Sequence, residues 1–109
     1  MQSLEPQPPA ANPISEVAPK LAELSERVLF GDIWERPELS KRDRSLITVA
    51  TLTALYRTDQ LRGHIARGLD NGLSREEIVE AITHIAFYAG WPTAVNGARV
   101  AAEVFAERG

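Results

Sequence analysis

From Pro19 onward the apolar residues of this chain return every three or four positions, and no stretch alternates apolar with polar residues two by two. That periodicity admits helices and leaves no place for a sheet. The first helix is expected to start near Pro19, a good first-turn residue, with Leu21, Leu24 and Val28 on one stripe as far as Phe30-Gly31. "GDIWERPEL" follows as a loop or short helix. Ser40-Lys41-Arg42-Asp43 reads as a capping box, and the helix it opens, "SLITVATLTALY", is apolar on nearly every face. Such a helix is buried, either at the centre of a domain or in a subunit interface. Thr58 is placed to cap a third helix carrying Leu61, Ile65 and Leu69, which Asp70-Asn71-Gly72 stops. A second box, Ser74-Arg75-Glu76-Glu77, opens a fourth helix with Ile78, Ala81, Ile82, Ile85 and Ala86 turned to the core, closed by Gly90. Pro92 begins a fifth, with Ala94, Val95, Ala98, Ala101, Ala102 and Phe105 inward. The expected fold class is all-α, a compact bundle of about five to six helices with short connections.

Residues 1–13 differ in kind. Pro6, Pro8, Pro9 and Pro13 fall there among Gln, Ser, Asn and Ala, a composition that cannot offset its ordering entropy by burial. A flexible tail over 1–13 and a single helical domain over 14–109 are expected. A chain of 109 residues buries roughly 65% of its unfolded surface, enough for one modest core. The net charge of −3 provides no basic field for phosphates, so no nucleic-acid partner is expected; the cluster Lys41, Arg42 and Arg44 is too small to alter this. No apolar run approaches the ~20 residues of a membrane helix, and the N-terminus shows no secretory signal, so no membrane partner is expected either. Without cysteine, disulfides, thiol redox chemistry and thiolate zinc sites are excluded, and a small domain of this kind suits a reducing cytoplasm.

Glu80, His84 and Tyr88 stand at i, i+4 and i+8 on the fourth helix, with Trp91 beyond its end. A carboxylate, an imidazole and a phenol in line can exchange protons, and the carboxylate would favour a charged histidine. The plainer alternative is a boundary stripe in partial solvent. His64, the other histidine, sits between Gly63 and Gly68. Glycine inside a helix costs about 1 kcal/mol relative to alanine, so the close approach of another helix or a ligand should offset it. The alternative is tight packing with His64 satisfied by a backbone carbonyl. Arg44, in the first turn of the second helix, reads as a solvated charge beside Lys41 and Arg42. Trp34 and Trp91 either roof a pocket or plug core ends, and Asn96 reads as a surface or cap residue. The two histidines and Glu80 lack a compact ligand pattern such as HExxH, so no metal site is expected.

Taken in order, "RPELSKRDRSLITVATLTAL" and "LRGHIARGLDNGLSREEIVEAITHIAFYAGWPTAVNGARVAAEVF" resemble the carboxymuconolactone decarboxylase family, from about Trp34 to Phe105. The most specific pieces are the R-x-R-S-L helix start, His64 ahead of "GLxxGLSREEI", and "HIAFYAGWPTA". The resemblance implies a compact all-α subunit that forms a trimer or hexamer, with active sites near subunit contacts. A related branch, the alkyl hydroperoxidase D type, works through C-x-x-C followed by histidine. If His64 matches that histidine, Arg57 and Gln60 fall at the cysteine positions and Ser45 near the relay glutamate, so thiol peroxidase chemistry by that route is impossible.

The decarboxylase branch implies loss of CO₂ from a carboxylated unsaturated γ-lactone, in the setting of aromatic catabolism. The substrate carries its own electron sink, so no metal, flavin or pyridoxal cofactor is implied. The protein has to supply a cation for carboxylate, donors for the developing oxyanion and a general acid. Arg44 is suited to the first by its planar fork. His64 is the first choice for proton transfer, the position shared by both branches, and His84 the second, as oxyanion donor or alternative acid. Glu80 and Tyr88 would orient His84, while Trp34 and Trp91 would exclude water. Two other readings stay open: a non-catalytic all-α oligomeric ligand-binding module, and a related lyase or isomerase acting on another ring substrate.

Overall fold

The computed structural model describes residues 13–109, and every regular element among them is helical. They form two compact units that meet in sequence between Pro37 and Glu38. Residues 1–12 of the expected tail lie outside the described residues, while Pro13 opens a short helix, α1 (Pro13–Val17). In the same unit α2 (Pro19–Leu24) begins at the expected proline and widens into a π-helical stretch over Ser25–Phe30. The segment read as a loop or short helix contains a 3₁₀ turn, Ile33–Glu35. Leu21, Leu24, Val28, Leu29 and Ile33 line an open apolar depression on this unit.

The second unit is a bundle of α3 (Lys41–Ala54), α4 (Thr58–Asp70), α5 (Arg75–Ala89) and α6 (Trp91–Arg108). Helices α4 and α5 each pack on α3 and α6 but hardly on one another. The core is a cluster of Val49, Leu61, Ile65, Leu73, Ile78, Ile82, Val100, Ala101 and Val104.

Local chemistry accounts for the ends. The Ser40 hydroxyl accepts the Asp43 N–H, and at Ser74 both halves of the capping box form, with Glu77 reaching back to the Ser74 N–H. Thr58 is not the cap of α4. Arg57 takes that position without a side-chain bond, and α3 ends just before it in a Schellman turn: Arg57 N–H bonds Leu52 O, and Tyr56 N–H bonds Thr53 O. Tyr56 occupies the left-handed position of that turn, at φ 62°. A second such turn ends α4, from Leu73 N–H to Gly68 O and Gly72 N–H to Leu69 O, with Gly72 at φ 106°. Here Leu73 folds back on Gly68, and a Cβ on that glycine would lie 2.9 Å from Leu73 Cδ1. Gly68 is thereby explained by packing.

Two stripes are rotated from the sequence reading. On α6 the buried residues are Thr93, Ala94, Gly97, Val100, Ala101 and Val104, whereas Val95, Ala98 and Ala102 are exposed. Gly97 decides the register, since its missing side chain lets α6 close on Thr53 of α3. On α5 Ile78 and Ile82 enter the core, while Ala81 and Ile85 line an open groove. Helix α3 divides likewise: Ser45, Val49 and Thr53 are buried, and Leu46, Ile47 and Ala50 face the groove.

Candidate functional site

Helix α4 carries the first histidine. Leu61 and Ile65 are fully buried, so the residues between and beside them emerge at the flank of the helix. His64 is half-buried there, with Nδ1 turned away from solvent. Its pKa is lowered from the ordinary 6.5, first by burial and then by the charge of Arg67 one turn on. The imidazole therefore rests neutral near pH 7. Arg67, Gln60 and Gly63 around it are exposed.

Helix α5 carries the second. Glu80 and His84 line a groove of about 530 Å³ between α3 and α5, together with Leu46, Ile47, Ala50 and Ile85. Glu77 closes one end of it, ion-paired with Arg42 across the two helices. The Glu77 carboxyl is held below its ordinary pKa, first by the Ser74 backbone N–H and then by Arg42. Tyr88 lies over His84, ring centroids 4.9 Å apart at 30°, but is not a wall of the groove. Trp91 stands edge-on to Phe87, with centroids 5.8 Å apart.

Arg44 lies in the first turn of α3, half-buried, with its Nε shielded from solvent and its carbonyl accepting the Thr48 hydroxyl at 2.7 Å. It is not among the residues lining the α3/α5 groove, and neither is His64. The structure thus brings Glu80, His84 and Tyr88 together and sets His64 on a helix that barely touches theirs. Trp34 belongs to the N-terminal unit, buried, with its ring 5.8 Å from that of Phe30. Asn96 is half-buried, and its Oδ1 accepts from Arg99. Among the groove residues, Glu77 was legible in sequence only as a cap. Arg67 was not singled out at all, although its place one turn beyond His64 was the available signal.

Residues 19–103 match the model of the carboxymuconolactone decarboxylase family. The chain is 41% identical over 83 residues to the 4-carboxymuconolactone decarboxylase of Acinetobacter baylyi, an alignment covering 76% of this chain and 62% of that protein. It is 33% identical over 74 residues to the nitrosuccinic acid decarboxylase npaB of Metarhizium robertsii, covering 68% of this chain and 52% of the relative. It thus spans less than two thirds of either relative's own length. The family match covers well over half of the chain and leads to one conclusion: the chain belongs to the carboxymuconolactone decarboxylase family.

Proposed function

We propose that the chain is a cofactor-independent carboxy-lyase acting on a carboxylated lactone or a similar cyclic acid, with His64 as its proton-transfer group. The observation that carries this reading is His64 itself, in a family with two decarboxylase-named relatives: half-buried, neutral at rest and beside a guanidinium. In the reaction the bond between the ring carbon and the carboxylate breaks. Its electron pair passes through the conjugated system to the lactone carbonyl oxygen, CO₂ leaves, and a ring carbon takes a proton. A neutral imidazole cannot serve as the donor until it is loaded. An anionic substrate beside it favours the charged form, so binding itself would bring the proton to His64. Arg44 is the candidate to orient a substrate carboxylate, and His84, steadied by Tyr88, the candidate oxyanion donor.

The oligomer belongs to the same proposal. Ile47, Phe87, Tyr88 and Trp91 are 53%, 74%, 79% and 63% exposed, large apolar and aromatic side chains of the kind that a subunit contact covers. A trimer or hexamer that covers them would put the His84 groove at a subunit contact and let a neighbouring chain complete the site. A second reading draws on the apolar walls of that groove: a non-catalytic oligomer that binds a greasy ligand. Incubation with carboxymuconolactone separates the two. The lyase reading expects CO₂ release together with the loss of the substrate's ultraviolet signature; an oligomer that binds the lactone without releasing CO₂ favours the module.

A further inference from the structure

Gly63 is a glycine in the middle of a helix, and among the described residues the space where its side chain would stand is open. A Cβ there would meet no atom within 4 Å, in contrast to Gly68 under Leu73 and Gly97 against Thr53. Glycine at such a place costs about 1 kcal/mol against alanine, and nothing among the described residues accounts for it. What surrounds it is specific. Residues three and four apart are neighbours on a helix surface, so Gln60, Gly63, His64 and Arg67 occupy the corners of one diamond: 60 adjoins 63 and 64, and 67 adjoins both of these as well. The glycine corner is a clearing. The other three corners hold an amide, an imidazole and a guanidinium.

We propose that this face of α4 receives a carboxylate of the substrate, with Arg67 as its cation and Gly63 as the gap through which the anion reaches His64. The inference rests on the reading of His64 as the proton-transfer group and adds a second cation to Arg44. The chemistry of the diamond suits a planar anion. A guanidinium binds carboxylate through two parallel N–H bonds, and the Gln60 amide can donate a third. Both acids on the helix are engaged elsewhere: Asp59 acts on Arg62, which also pairs with Glu103 of α6, and Asp70, three residues beyond Arg67, is ion-paired with Arg108 of α6. Arg57 lies a turn before Gln60 and extends the same stripe. A side chain at 63 would stand between the anion and the imidazole.

The test uses the full chain with isotopically labelled histidine and a saturated probe, 5-oxotetrahydrofuran-2-carboxylate, which has no conjugated path for decarboxylation. Titration is expected to move the His64 ring signals, with the neutral methyl ester binding at least tenfold more weakly. Gly63→Leu and Arg67→Gln should each weaken the acid at least tenfold with an unchanged circular dichroism spectrum, and Arg67→Lys should recover part of the loss. Equal binding of acid and ester, a response at His84 instead of His64, or wild-type affinity in Arg67→Gln would overturn the proposal. So would a Gly63→Leu variant that binds normally but sediments as a smaller species, because Gly63 would then be a packing contact between copies. Probe binding as described without CO₂ release from carboxymuconolactone would count against the lyase reading and leave the anion seat standing. CO₂ release with KM unaltered in Arg67→Gln would do the reverse.

Discussion

The Asn71 side-chain amide donates to the Ser45 hydroxyl at 2.9 Å, joining the residue that ends α4 to the first turn of α3. Ser45 is wholly buried and Asn71 half-buried, so the bond has little water to compete with it. It fixes the start of α3 one residue from Arg44. Ser45→Ala leaves the amide without this acceptor and is expected to lower stability by about 1 kcal/mol. Urea unfolding of Ser45→Ala, Asn71→Ala and the double variant measures it, with a sub-additive double variant as the expected result.

Gly97→Ala should cost more. The added Cβ would lie 2.8 Å from Thr53 Cγ2 and 3.3 Å from its Oγ1. Thr53 cannot turn aside, being buried, β-branched and bonded through its hydroxyl to Val49 O at 2.7 Å. Overpacking of this kind costs ~1–3 kcal/mol. Thr53→Ser removes the clashing methyl while keeping the hydroxyl, so the double variant Gly97→Ala/Thr53→Ser should regain most of the lost melting temperature.

Tyr56 predicts a change of opposite sign. Its φ of 62° lies in the left-handed region, which a Cβ makes unfavourable by ~1–2 kcal/mol. Tyr56→Gly should therefore stabilise the fold, offset by whatever the half-exposed ring contributes. A fall in stability on thermal melting would show that the phenol ring packs better than its exposure indicates.

The lowered pKa of His64 makes stability depend on pH with a definite sign. Below 6.5 the unfolded chain takes up a proton that the folded His64 resists. Its contribution is complete above that pH and is lost as pH falls through the lower folded value. Glu77 acts in the same direction in a more acidic window, beginning below its ordinary 4.5. Urea midpoints from pH 8 to pH 5 should therefore decline in the wild type and decline less in His64→Asn.

Helix ends were legible in the sequence because they are local. Ser40, Ser74, Gly72 and Gly90 act through bonds a few residues away, and the structure places each at an end. The end of α3 was not legible, because a tyrosine stands where a glycine would announce the turn. The rotation of α6 was hidden for a related reason. An apolar count passes over Thr93 and Gly97, the residues that let the helix approach closely. Periodicity also cannot distinguish a closed core from an open groove, so Ala81 and Ile85 read as core. In the candidate site, the alignment of Glu80, His84 and Tyr88 followed from helical spacing alone. The separation of His64 from them within a subunit did not, since it depends on which helices meet. Gly63 drew notice as a cost, but its meaning required knowing that the space beside it is empty.

The most direct measurement is turnover of carboxymuconolactone by His64→Asn, followed as CO₂ release beside a wild type that is active and of the same oligomeric size. With His64 as the proton-transfer group, the variant should keep its circular dichroism spectrum and lose about 10²- to 10⁴-fold in kcat. A folded His64→Asn protein that releases CO₂ at the wild-type rate would contradict the account.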